Sequence, residues 1–186
     1  MSTTDLTGRG AGTIDSSDVV ELILGDHAEF ERLLRQLRRD DADRPAARAE
    51  LADLLVAHAE AEEAEVYPTL RSHVPSDEEG EVAHGREEHA EGHAELLALL
   101  EIDDVDSEAF SEQLEEVSEV VMHHLDEEER EVLNLAREHV AEDVRAQLGS
   151  AFMRVRAEQL RDNPGDVANV RRLVDRARRE GLLDQD

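Results

Sequence analysis

The stretch His58-Ala59-Glu60-Ala61-Glu62-Glu63-Ala64-Glu65-Val66 returns 66 positions later as His124-Leu125-Asp126-Glu127-Glu128-Glu129-Arg130-Glu131-Val132. The histidine, two adjacent glutamates and the closing valine keep their places in both copies. A His four residues before a Glu puts both side chains on one face of a helix. The same offset carries His27 onto His93, Phe30 onto Leu96, Leu33 onto Leu99 and Leu34 onto Leu100. Within each half, 31 residues separate the first His from the second. At about 1.5 Å per residue, a chain can climb roughly 20 Å along one helix and return beside it to the same height. Two such halves predict an all-α, up-down-up-down four-helix bundle with four histidines and two glutamates gathered in its middle.

Apolar residues at helical spacing locate the inner faces. The first stripe is Val20, Ile23, Leu24, His27, Phe30, Leu34 and Leu37. The second is Leu51, Leu55, His58, Glu62, Val66 and Leu70, and the third is Val82, His89, His93, Leu96, Leu97 and Leu100. The fourth, Leu114, Val117, Val121, His124, Glu128, Val132 and Leu135, reads as one helix. Helix-start chemistry stands at each junction: Pro45 at a first helical position, Ser76 with Glu79 as a capping box, and Ser107 or Asp106 as a cap. No alternating β-branched or aromatic run signals a strand. Residues 1–15, rich in Gly, Ser and Thr, are expected to be a disordered lead, residues 16–141 the bundle, and residues 142–186 a helical C-terminal extension. Gly149 and Asn163-Pro164-Gly165 are expected to break that extension into two short helices. Its locally basic end, Arg171 to Arg179, is expected to dock on the acidic bundle, with a protein partner or self-association as the sharper alternative.

Composition narrows the chemistry. The 186 residues carry 48 acidic and 20 basic side chains, a formal charge of −28 that repels nucleic acid and anionic membranes. Every basic residue is Arg, so lysine-based phosphate binding and Schiff-base chemistry are excluded. With no Cys, there are no thiolate metal sites, iron–sulfur clusters or cysteine nucleophiles. No segment reads as a membrane span or signal peptide, and the expected location is cytoplasmic.

Against this plain background stand nine histidines. Each inner stripe is interrupted by His, or by His and Glu, and such groups are costly in a core unless something satisfies them. A carboxylate can bridge two cations while imidazoles fill terminal positions, which is the logic of a dinuclear centre. Nitrogen and oxygen donors without sulfur favour iron or manganese, with zinc possible. His89 breaks the repeat, because its counterpart is Ile23. With His93 it forms His-x-x-x-His, so one metal can receive three histidines and the other two, leaving an open position for a diatomic ligand or peroxide. The remaining histidines, His73, His84, His123 and His139, are expected in solvent. The acidic runs 60–65 and 126–131 are read as solvated faces with one inward Glu each. The paired Glu-x-x-His of ferritin-type sites is missing, since Glu81-x-x-His84 has no second copy.

The set His27, His58-x-x-x-Glu62, His89-x-x-x-His93 and His124-x-x-x-Glu128 resembles the hemerythrin family, in particular its bacterial HHE cation-binding members. The likeness spans about residues 17 to 140. It implies two iron ions with an oxo or hydroxo bridge, ahead of manganese or zinc. His89, His93 and His124 would hold one, His27 and His58 the other, with Glu62 and Glu128 bridging. It also implies binding or sensing of dioxygen or nitric oxide. Reduction of peroxide or nitric oxide, and an iron-responsive interaction module, stand as alternatives. Oxygen carriers of the family have Asp five residues after the fourth-helix His; here Glu129 holds that place, and Glu128 fits the bacterial pattern. Tyr67, one or two turns from the ligands, either packs or reaches the metal.

Overall fold

The computed structural model describes residues 17–76 and 79–184; the N-terminal lead and the Ser76–Glu79 cap fall on parts outside this description. The described residues form six helical rods, two of them interrupted. The first is α1, Val19–Leu37, capped by Asp18, whose carboxylate accepts from Val20 N–H. Helix α2, Arg44–Ala61, starts from Asp43 with Pro45 in its first turn, where a missing N–H costs nothing. It runs on through a π-helical turn, Glu62–Val66, into α3, Tyr67–Arg71. Pro68 has no N–H for the Ala64 carbonyl and its ring crowds that group, so the wider turn just upstream relieves the rod. Helix α4 is Glu79–Leu100. Helix α5, Glu108–Arg130, begins at Ser107, whose hydroxyl accepts from Phe110 N–H.

The fourth rod is not one unbroken helix. Glu131, at φ −112° and ψ −73°, separates α5 from α6, Val132–His139. Both His-x-x-x-Glu segments are thus followed at once by a local departure from α geometry. No strand occurs among the described residues.

The four rods close around two apolar blocks. Phe30, Leu33, Leu34, Leu51, Leu99 and Phe110 anchor one end, and Ile23, Val66, Leu70, Val82, Leu133 and Phe152 the other. At about 1.5–3 kcal/mol per buried side chain, these blocks hold the rods in register. The polar residues of the stripes lie between the blocks. The third stripe needs one revision: Leu99 is fully buried, whereas Leu97 and Leu100 are partly buried against α8.

The C-terminal extension is two helices, but Gly149 breaks neither. Helix α7, Glu142–Arg161, passes straight through it. A glycine costs a helix about 1 kcal/mol relative to alanine, and here close approach explains it: a Cβ on Gly149 would strike the Ser17 carbonyl and crowd Leu22. Asn163-Pro164-Gly165 does end the helix, with Asn163 in the left-handed region at φ 52°. Gly165 lies so close to Ala52 and Asp53 that a side chain has no room. Helix α8, Val167–Glu180, follows and ends at Gly181, φ 77°.

Helix α7 covers α1 and α2, and α8 covers α4. The docking is apolar and ionic together. Phe152 is fully buried, and Arg154, Arg171 and Arg176 pair with Glu65, Glu101 and Glu60 at 2.6–2.8 Å. The acidic run 60–65 is therefore largely a docking face, not a solvated one. No helix of the described residues is long and apolar enough to cross a membrane.

Candidate metal centre

Between the apolar blocks, donor atoms form two trios: His27, His58 and Glu128, and Glu62, His89 and His124. All six residues are buried, and within each trio the ligating atoms lie within 4.8 Å of one another. Each carboxylate reaches both trios. Glu62 Oε2 is 3.2 Å from His58 Nε2 and 3.2 Å from His89 Nε2. Glu128 Oε2 is 3.2 Å from His27 Nε2 and 3.8 Å from His124 Nε2. This is the placement a bridging carboxylate needs.

Proximity here is not hydrogen bonding. Among the described residues nothing of acceptable geometry pairs with His27 Nε2, His58 Nε2, His124 Nε2, Glu62 Oε1 or Glu128 Oε2, although all are buried. Each unpaired buried polar group costs on the order of 1–3 kcal/mol. All five belong to residues of the two trios, and cations held there would satisfy them.

The other imidazole nitrogens explain the aim. His27 Nδ1 lies 2.9 Å from Glu129, His58 Nδ1 3.2 Å from Asp26, His89 Nδ1 3.3 Å from Glu63, and His124 Nδ1 2.9 Å from Glu88. A carboxylate on Nδ1 fixes ring orientation and leaves the Nε2 lone pair as the ligand. Glu63 and Glu129, read from sequence as solvated, belong to this outer ring. The repeat is broken there: Asp26 maps onto Gly92, and His124 takes its partner from Glu88, one turn earlier.

Helix α7 reaches the same ring. Arg156 clamps Asp26 through two bonds of 2.7 Å, and Phe152 sits edge-on to the His58 ring at 5.7 Å. Both residues lie outside the 66-residue repeat, so no sequence signal marks them.

Without a cation, protons hold the cage. Burial opposes charge on His58, but Glu62 and Asp26 outweigh it and push its pKa up to about 10. Burial likewise opposes charge on His89, and Glu62 and Glu63 raise it to about 9. The two imidazoles hold Glu62 well below the usual carboxylate range despite its burial.

His93 stands apart from both trios. It is buried and lines the same small cavity as His58, His89 and His124. Burial, with the nearby charges of His89 and Arg176, pushes it down to about 3, so its ring is neutral. The cavity measures about 30 Å³, room for one water-sized molecule, with Phe30, Leu55, Val121 and Leu125 as its apolar wall. On the other side, Tyr67 Oη lies 3.4 Å from Glu62, His89 and Glu128, and its ring stacks on His89. Burial and the surrounding carboxylates raise its pKa well above the ordinary value, so the phenol keeps its proton. Gly85 makes room for it, since a Cβ there would lie 2.6 Å from Tyr67 Oη.

Of the four outlying histidines, His73, His84 and His123 are exposed as expected. His139 is half-buried.

The fold and donors define a helical bundle built round a sulfur-free His/Glu cage for cations. The family model for the hemerythrin HHE cation-binding domain matches residues 18–136, and the chain belongs to that family. No curated protein and no solved structure matches it. Helices α7 and α8 lie beyond the matched region.

Proposed function

We propose that the cage holds two iron ions and binds or senses dioxygen or nitric oxide. The observation that carries this reading is the pair of buried donor trios, five of whose polar atoms have no hydrogen-bond partner of acceptable geometry among the described residues. His27 and His58 would hold one ion, His89 and His124 the other, with Glu62 and Glu128 between them. His93, neutral and on the shared cavity, is the candidate fifth imidazole. The donor chemistry fits iron, since imidazole and carboxylate without thiolate suit it. Iron so held, with unequal numbers of histidines, offers an open coordination position to a small ligand. The rest is the work of the chain. The cavity has room for one water-sized molecule, and much of its wall is apolar. The outer carboxylates hold each ring in its ligating orientation.

One observation favours a second reading, reduction of peroxide. Tyr67 holds a proton on Oη within 3.4 Å of three cage residues, where it can be given to a reacting group. The two readings part on one experiment. The chain is loaded with ferrous iron without air, its iron content measured, and its optical spectrum followed on adding dioxygen, nitric oxide and peroxide. Two irons per chain with reversible bands support binding, and repeated consumption of peroxide in the presence of an added electron donor supports the enzyme. Failure to retain two irons sinks both.

A further inference from the structure

The pairing of His with a Glu four residues on serves the cage twice, and two further copies stand side by side outside it. His84 and Glu88 on α4 and His123 and Glu127 on α5 repeat the arrangement on the outer side of the α4–α5 seam. We infer that His84, Glu88 and Glu127, with His123 as a further donor, form a separate divalent-cation site that feeds the cage.

The geometry is specific. One ligating atom each from His84, Glu88 and Glu127 lies within 4.8 Å of the other two. His123 Nε2 is 3.3 Å from Glu127 Oε1, and His84 Nε2 is 4.0 Å from Glu127 Oε2, so Glu127 stands between two imidazoles. Two carboxylates and two imidazoles make a donor set that manganese, iron or zinc accepts.

Acidic clusters on an acidic protein prove nothing alone; Glu88 supplies the independent sign. Its side chain is 9 % exposed, and its Oε2 is taken by His124 Nδ1 at 2.9 Å. Its Oε1 is buried with no hydrogen-bond partner among the described residues. A buried, unpartnered carboxylate oxygen beside a second carboxylate is costly, and a cation offsets both. His84 and His123 have side chains 51 % and 66 % exposed, so an ion reaches the site directly from solvent. Glu88 then joins outside to inside, because the carboxylate that would hold the outer ion also orients the ring of a cage residue. The strongly negative chain, at −28, concentrates cations at its surface.

The site stands whether or not the cage holds two ions; only its feeding role rests on that reading. The test is Mn2+ binding to the full chain by equilibrium dialysis and electron paramagnetic resonance. The wild type is expected to take three ions, and the H84A/E127Q double variant two, with inner affinity unchanged and inner loading about tenfold slower. The H27A/H58A variant should lose inner binding and keep the outer ion. Equal stoichiometry in wild type and H84A/E127Q overturns the proposal. Loss of only the inner ions across all forms overturns the cage reading while leaving the outer site in place. In H27A/H58A, Mn2+ should still broaden the ring-proton NMR signals of His84 and His123 together. Sharp signals at saturation overturn the outer site.

Discussion

Arg156 and Asp26 meet through a two-pronged pair, both bonds 2.7 Å, joining a helix outside the HHE-matched region to the cage. Asp26 passes that hold to His58 Nδ1. Arg156→Ala should leave the bundle helical and weaken metal binding about 10–100-fold, the usual cost of losing such a support. Isothermal titration beside circular dichroism checks this. Unchanged affinity would mean that α7 merely packs.

The bridging role of the carboxylates is tested by Glu62→Gln and Glu128→Gln. The amide keeps the volume and removes the second anionic oxygen. Each variant should lose one or both of the cage ions by elemental analysis. Both cage ions retained at wild-type affinity would contradict bridging.

The pH dependence of the metal-free chain follows from His58 and His89. Their folded pKa values, about 10 and 9, lie above the unfolded value of about 6.5. The native state therefore holds these protons more tightly than the unfolded chain. The stabilisation is complete below about pH 6.5 and is lost as pH rises through 9 to 10. Denaturation midpoints of the metal-free chain should fall across that upper range. Metal uptake at neutral pH should release protons, since ions replace them on Nε2. A midpoint that rises on going from pH 7 to 10 would contradict the charged cage.

Gly85 and Tyr67 are interlocked. Gly85→Ala places a methyl 2.6 Å from Tyr67 Oη and must displace the phenol, at about 1–3 kcal/mol. Tyr67→Phe should fold normally, keep both ions, and slow peroxide consumption if the phenol supplies a proton. Stopped-flow traces of the iron-loaded variants give the answer.

Removing metal should loosen α7 before the apolar blocks open, because Phe152 and Arg156 rest on His58 and its partner. Hydrogen exchange within Glu142–Arg161 should speed up on chelation, while the Phe30–Phe110 end stays protected. Uniform exchange with and without metal would show α7 to be independent of the cage.

Much of this was legible in the sequence because the period of a helix and the 66-residue repeat are both strict. They placed His27, His58, His124, Glu62 and Glu128 on inner faces at one height. The outer carboxylates were hidden for a physical reason. Glu63 and Glu129 follow an inward-facing glutamate by one residue, about 100° round the helix, and so read as solvent-facing. Only the angle at which neighbouring rods meet brings them onto His89 and His27. Gly149 was misread because glycine's cost in a helix is local, whereas its cause, the Ser17 carbonyl, is 132 positions away in the chain. The break at Glu131 follows a run of good helix formers and has no counterpart in propensity.

The exchange of Asp26 for Gly92 in the second half carries a last consequence. Duplicating either half to make a twofold-symmetric dimer would not rebuild this centre. A doubled first half would set an aspartate on both matching rings, and a doubled second half would set there a glutamate from one turn earlier. The present chain keeps one of each, so its two coordination hollows are chemically unequal before any ion arrives, and a visiting molecule meets a lopsided pair.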